Sequence, residues 1–456
     1  MTGFQLAERL NHFLVASGNR NCHVAKISSN PERSKHLETA TMMVFDQAID
    51  FVNLRSETYD ESSRVPTTMD FGTPSEDAFR RDATVNALFY NIQTGQVEDF
   101  TKKGLDDLRE RVIRTPLAAF ETFRDDPLRI LRCVRFASRF SFKLDPSIAE
   151  AVQSEDIRQA LDKKISRERI GVEVDKMLSH ENAAQAVRYL RDLQLMPIVF
   201  AIPSDQSDLV RGWLPLLTTK RHKDRVVELK NRRRLLYLSA CLFPFRDVRI
   251  PDGKRELTGP QFIVRNSLKL SNQDMEQCHR IITSVPNVQS LVKQIKADPS
   301  SLEDDQSRST RIQAGQFVRD VGPLWPAATL FTLCKSLKDV ERKPQSDEVT
   351  QSDLPEAPQL QIQPYSQFFD YLRNNQLDSC HLWKHRLQGS QAASILGIKP
   401  GPIIGQILSH IMDWQILHPK GTEAECKAFV LQDAAIAELA QEARSKSPPK
   451  KAKRGP

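Results

Sequence analysis

Arg124-Asp125-Asp126-Pro127-Leu128-Arg129-Ile130-Leu131-Arg132-Cys133-Val134-Arg135-Phe136 reads as the opening of a helix over Asp125–Phe140, with a carboxylate, Asp126, one turn from a guanidinium, Arg129. Residues at i and i+3 are helical neighbours, so this pair presents an acceptor beside a fork of donors. It complements the Watson–Crick edge of cytosine or adenine, each of which sets an exocyclic amino donor next to a ring-nitrogen acceptor. Uracil and guanine offer a carbonyl beside an N–H and would meet like with like. The same spacing also suits a salt-bridged helix start, with Asp125 and Asp126 favoured by the positive end of the dipole. Ile130, Leu131, Val134 and Ala137 share one side, and Arg129, Arg132, Arg135 and Arg139 fall on the other. The aliphatic side should anchor the helix and leave the arginines free to meet nucleotide or RNA.

Upstream, the chain reads as mixed α/β. Thr39–Phe45 and Ile49–Leu54 are β-branched runs around an Asp46-Gln47-Ala48 turn, which predicts a hairpin. Arg81–Asn91 is predicted helical, Gln96–Phe100 extended and Gly104–Val112 helical. Downstream the period is helical over Pro146–Val152, Ser166–Leu178 and Ala183–Leu193, and again from Arg211 to Leu337. At 456 residues the chain exceeds one core. The expected parts are a head over residues 1–115, a helical neck over 116–200, a helical body over 201–342, a linker over 343–364, a helical tail over 365–442 and a disordered basic end over 443–456. A second linker-like stretch, Asp298–Arg311, is rich in Asp and Ser. The fold class is α+β, a mixed sheet with helices followed by all-α parts.

With 65 Lys+Arg against 58 Asp+Glu, the net charge of +7 argues for a polyanionic partner only where it is clustered. One cluster spans Lys220-Arg221-His222-Lys223-Asp224-Arg225 and Lys230-Asn231-Arg232-Arg233-Arg234, which suits either a solvated helix face or an RNA backbone. The seven cysteines form no CxxC pair, so neither a zinc site nor a disulfide framework is indicated. No apolar run approaches membrane-spanning length.

Arg80-Arg81-Asp82-Ala83-Thr84-Val85-Asn86-Ala87 resembles the RRDxTxNA motif of the CCA-adding enzymes, the tRNA nucleotidyltransferases of the class shared by eukaryotes and most bacteria. In that family's order follow Asp99-Phe100 with Gly104, Asp106-Asp107-Leu108 and Ile113-Arg114, then Asp125-Asp126-Pro127-Leu128-Arg129, then Ser166-Arg167-Glu168-Arg169-Ile170. Lys399-Pro400-Gly401-Pro402, Trp414-Gln415 and His418-Pro419 are similar to the tail of the fungal enzymes. The resemblance implies a polymerase-β-like nucleotidyltransferase head that adds CMP, CMP and AMP to the 3′ end of tRNA from CTP and ATP, with Mg2+ ions neutralising the phosphates. It implies that Arg81, Asp82 and Asn86 bind sugar and triphosphate, with Asp82 and Asn86 able to hold Arg81. It also implies that Asp126, Arg129 and Arg132 meet the nucleotide while Asp125 orients Arg129. Ser166 and Arg169 are expected to steady the bundle behind the site, although Ser166 equally suits a plain N-cap. Arg135, Lys399 and Gly401 are expected at the RNA. The turn at Lys399–Pro402 also suits a simple helix–helix connector.

The family's opening strand, Gly-Gly turn and Asp-x-Asp pair are not found before Met1-Thr2-Gly3-Phe4, and a downstream methionine is expected to have been taken as the start. Asp50 stands where the family carries a third acidic residue and is the candidate catalytic and metal-binding group, or else a strand-edge charge. One carboxylate cannot clamp two magnesium ions, so the chain as written is expected to be impaired. Two alternatives are a catalytically inactive tRNA-binding protein and a poly(A) polymerase of the same superfamily. Family members serve mitochondria, nucleus and cytoplasm. The oligomeric state is not legible.

Overall fold

The computed structural model describes residues 1–27, 39–58, 68–203, 233–253, 255–295, 305–337 and 356–445. They belong to two compact units, residues 1–275 and 276–456.

The first unit opens with α1 (Gly3–Ala16), whose start is fixed by a reciprocal Thr2–Gln5 capping box. A three-stranded antiparallel sheet follows, β1 (Val24–Ile27), β2 (Thr39–Val44) and β3 (Gln47–Phe51), in that spatial order. Alternation along β2 buries Ala40, Met42 and Val44, and Leu14 of α1 joins Met42 and Val44 in a small core. Gly3 permits the close approach of helix to sheet, because a Cβ there would stand 2.3 Å from the Phe51 carbonyl oxygen. The expected hairpin forms, but it turns through Phe45-Asp46. Both residues have positive φ, 46° and 62°, and Gln47 and Ala48 already pair with Val44 and Met43. Two residues with positive φ give the turn whose twist matches the flanking strands.

An antiparallel pair, β4 (Arg55–Thr58) and β5 (Thr68–Phe71), leads into α2 (Pro74–Phe79). Thr73 and Glu76 form its capping box and Pro74 opens it. The helix expected over Arg81–Asn91 is absent. That stretch holds a 3-10 turn at Thr84–Asn86 and strand β6 (Phe89–Asn91), which pairs with β7 (Gln96–Glu98). The start signals one turn upstream had already placed the helix, and Phe89 is drawn into an edge contact with Phe100 at 5.7 Å.

Next come α3 (Gly104–Glu110), β8 (Val112–Ile113), α4 (Ala119–Asp125), α5 (Leu128–Phe140) and β9 (Lys143–Leu144), which lies parallel to β8. Helices α6 (Pro146–Gln153), α7 (Glu155–Lys164), α8 (Arg167–Ser179) and α9 (Ala183–Asp192) complete the neck. Asp125–Phe140 is thus two helices. Pro127 disfavours the helical conformation in the residue before it, and Asp126 is extended at φ −135°, ψ 98°. After the helix Arg233–Leu242, an antiparallel pair, Arg249–Asp252 with Arg255–Thr258, interrupts the continuous helix pattern expected of the body. Residues 204–232, with most of the basic cluster, lie outside the described residues. Arg234 of that cluster is bonded to Asp175 and Asp274.

In the second unit, Asp305–Arg311 is not linker but the start of the helix Asp305–Val321. Arg311 is 5% exposed and donates to the carbonyls of Ile416 and Asn375. Residues 356–364 likewise belong to the helix Glu356–Asn374, while 343–355 and the basic end 446–456 lie outside the described residues. The helix–turn–helix expected in the tail is present as Gly389–Leu396 and Ile403–Leu417. Gly397 closes the first helix at φ 63°. Leu387, Leu396, Ile407, Ile411, Val430 and Ile436 form the core beneath it. No helix among the described residues is long and apolar enough to cross a membrane.

Candidate nucleotide site

The RRD stretch follows α2 and is tied down at each residue. Asp77 on α2 is 1% exposed. It accepts from both Nε and Nη2 of Arg81, at 3.0 and 2.7 Å, and pairs with Arg80. Burial raises the Asp77 carboxyl and the two guanidiniums more than reverse that, leaving it below the usual carboxylate range. Arg81 Nη1 donates to the Asn86 carbonyl at 3.0 Å, and the guanidinium lies 5.0 Å from the Phe89 ring centroid. Asn86, as expected, helps to hold Arg81, but Asp82 does not. The Asp82 carboxylate accepts from Asn86 Nδ2 at 2.9 Å and from Arg132 Nε at 2.5 Å, which joins the head to α5.

The 3-10 turn that carries Asn86 is braced from below. Asp107 accepts from the Thr84 hydroxyl at 2.7 Å and from Arg114 Nε at 3.1 Å, and the Thr84 N–H donates to the Arg114 carbonyl at 2.9 Å. A side chain at residue 104 would collide with the Thr84 carbonyl at 2.7 Å. Gly104, Asp107 and Arg114 therefore act here through position, as struts beneath the turn.

On α5 the aliphatic anchor is as expected: Ile130, Leu131, Val134 and Ala137 are all 0% exposed. The arginine side is not free, which corrects the two-sided reading. Arg135 is 7% exposed and donates through Nε to Glu173 on α8 at 2.5 Å. Arg132 is held by Asp82. Arg139 alone of the four is exposed. An α-helix packed by head, α8 and α9 must bury charges all round, and each buried arginine is matched by a carboxylate from another element.

The pair expected to read a base straddles the break before α5. Asp126 Oδ1 accepts the Leu128 N–H at 3.1 Å and its other oxygen is 3.2 Å from Arg169 Nη2. Arg169 therefore supports the reading segment from α8. Ser166 sits at the cap position of that helix without a side-chain cap bond. Arg129 is 7% exposed, with Nη2 3.8 Å from Glu57 Oε2 on β4 and Nη1 3.5 Å from the Thr122 carbonyl. Burial raises the Asp125 carboxyl above its ordinary value, with Arg129 and Arg124 pulling the other way. Glu57 and Asp77 were missed in the sequence, as was the part of Glu173 as the partner of Arg135. Arg55-x-Glu57 sets two opposite charges on one strand face, which by itself reads as a solvated face and so gave no signal of burial.

Asp50 bonds elsewhere. It is exposed on β3, and its Oδ1 accepts from the Thr41 hydroxyl at 2.7 Å. Among the described residues no group of three or more His, Cys, Asp or Glu could hold a metal ion. Magnesium takes a near-octahedral set of oxygens, so the residues described do not make a two-magnesium cage. Lys399 and Gly401 are exposed at the tail turn. At the far end of the helix Ile403–Leu417, Gln415 holds the Lys384 carbonyl and the Arg386 N–H, and Trp414 stacks on His418 with centroids 4.9 Å apart.

Residues 3–114 match the poly A polymerase head domain, and residues 141–205 match the probable RNA and SrmB-binding site of polymerase A. The mitochondrial CCA tRNA nucleotidyltransferase of Saccharomyces cerevisiae is 34% identical over 93% of this chain and 82% of its own length. This chain belongs to the CCA-adding tRNA nucleotidyltransferases. The mitochondrial enzyme of Candida glabrata is 36% identical over 94% of the chain and 85% of its own length. The solved Bacillus stearothermophilus CCA-adding enzyme in complex with CTP has a TM-score of 0.52 at 19% identity, covering 89% of this chain and 82% of that one. As in that family, the head is polymerase-β-like and the fold is α+β.

Proposed function

We propose that this protein adds CMP, CMP and AMP to the 3′ end of tRNA from CTP and ATP, without a nucleic-acid template. The observation that carries this reading is the convergence at one place of Arg81, Asn86 and Asp82 from the head with Arg132, Asp126 and Arg129 from the neck. Arg81, presented by Asp77 and Asn86, supplies fork donors to a triphosphate. Asn86 meets the ribose, and Arg132 ties that half to the reading half through Asp82. Asp126 accepts the exocyclic amino group of cytosine or adenine, and Arg129 donates to the neighbouring ring nitrogen. Asp125 helps to orient Arg129. Held by buried partners, these groups reach the base without the reorganisation that water would require, so the preference is built in before the nucleotide arrives.

Arg135 has a structural partner in Glu173, so its part at the RNA is to fix α5. Lys399 and Gly401 at the exposed tail turn are proposed to meet the tRNA backbone, a contact that carries no sequence information and weakens steeply with salt. Mg2+ is proposed as the ion of the phosphoryl transfer. Asp50 is proposed as one carboxylate near that ion. The proposed locations are the mitochondrion, the nucleus and the cytoplasm.

The deciding experiment offers tRNA lacking its last three nucleotides, with Mg2+ and all four triphosphates, and sequences any product. Extension by C, C and A supports the reading, and an oligo(A) product would favour poly(A) polymerase instead. Binding of tRNA with no preference among the four nucleotides would favour an inactive RNA-binding protein.

A further inference from the structure

Glu57 lies outside every motif that marks the site, yet it touches both halves of it. Its side chain is 3% exposed on β4. Oε1 stands 2.8 Å from Arg55 Nε and 3.2 Å from Arg80 Nη1, and Oε2 stands 3.8 Å from Arg129 Nη2. Arg80 also pairs with Asp77, which carries Arg81. One buried carboxylate therefore faces three guanidiniums, and an unbroken chain of charges runs from Arg81 to Arg129. In a low-dielectric setting a guanidinium so held resists rotation, because turning away separates charges that water cannot reach to screen.

We propose that Glu57 is a positioning residue that fixes the donor fork of Arg129 and so sets which base edge the site accepts. The inference rests on Arg129 reading the base. A fork in one orientation meets a ring-nitrogen acceptor flush with the amino group that Asp126 takes. A fork that can swing also reaches the carbonyl oxygens of uracil and guanine, and the exclusion of those bases weakens. Glu57 thus acts through Arg129 and needs no contact with the nucleotide itself.

The test measures equilibrium binding of CTP, ATP, UTP and GTP to the full chain by titration calorimetry, with circular dichroism as the check on folding. Glu57→Gln keeps the shape and removes the charge. The ratios of CTP to UTP affinity and of ATP to GTP affinity are expected to fall about tenfold as the Glu57–Arg129 ion pair is lost. Glu57→Asp, which keeps the charge but withdraws it, should fall between the two. In an Arg129→Ala background, Glu57→Gln should not change the ratios further. A merely structural role would weaken all four nucleotides alike and leave the ratios standing, and that result in a folded variant would overturn the proposal. So would an equal fall in the ratios in the Arg129→Ala background. Should Glu57→Gln fail to fold, Glu57→Asp decides alone, and wild-type ratios in it would overturn the proposal. If the wild-type chain binds all four alike, the base-reading assignment itself falls. If the wild-type chain prefers CTP and ATP and the folded Glu57 variants keep that preference in full, the Glu57 inference falls by itself.

Discussion

The neck around α5 and the sheet of β1, β2 and β3 belong to one compact unit and are built on opposite principles. In the neck, charge is matched and largely withdrawn from solvent: Arg135 with Glu173 and Arg129 near Glu57 are buried, and Arg132 with Asp82 and Asp126 with Arg169 are partly so. On the sheet, the one candidate carboxylate, Asp50, is exposed, and β3 presents Gln47, Ala48, Ile49 and Asp50 to the surface. The half proposed to select the base is held by cross-element ion pairs, whereas the carboxylate proposed for catalysis stands on an exposed strand. Rigidity is what selection requires, because a template made of side chains discriminates only as well as those side chains hold still.

The contrast predicts unequal responses to substitution. Glu173→Ala strands Arg135 in the interior and should cost about 3–5 kcal/mol, read from chemical denaturation. A loss below about 1 kcal/mol would mean that the neck is not held together by its buried pairs. Next in size is Gly3→Ala, which forces α1 off the Phe51 carbonyl and should cost about 1–3 kcal/mol as an overpacked contact. An unchanged melting temperature would show that helix and sheet have slack.

Acidification should also act on the buried ion pairs behind Arg80 and Arg81. The Asp77 carboxyl lies below its ordinary value of 3.8, so the stability it contributes is present above that pH and is lost as pH falls through the lowered native value. Asp77→Asn should remove that part of the acid sensitivity, and an unaltered acid transition would assign it elsewhere. Smallest of all is Asp50→Asn, which should leave the melting temperature where it was, since its hydroxyl partner Thr41 can still bond to the amide. A large shift would place Asp50 in the fold rather than at the chemistry.

Much of the site was legible in the order of the motifs, and the greasy back of α5 in its helical period. The partners of its arginines were not. Arg129 meets Glu57, Arg132 meets Asp82 and Arg135 meets Glu173 across long stretches of chain, and local periodicity is blind to such pairs. Periodicity separates charged residues from aliphatic ones, but it cannot tell a solvated charge from one neutralised by another element. The break at Asp126 was legible in Pro127, yet the helical pattern on either side outweighed it. The helix forecast over Arg81–Asn91 failed because Thr73, Pro74 and Glu76 had already fixed a helix upstream. The ends of both linkers fold into helices because tertiary packing, as around Arg311, overrides polar composition.

The measurement that bears most directly on base selection by Asp126 and Arg129 is competitive binding of the four triphosphates to the Asp126→Ala, Arg129→Ala double variant. Loss of both groups should erase the preference for CTP and ATP, a fall on the order of 100-fold in the affinity ratios, with triphosphate affinity retained through Arg81. A folded double variant that still prefers CTP and ATP over UTP and GTP would contradict it.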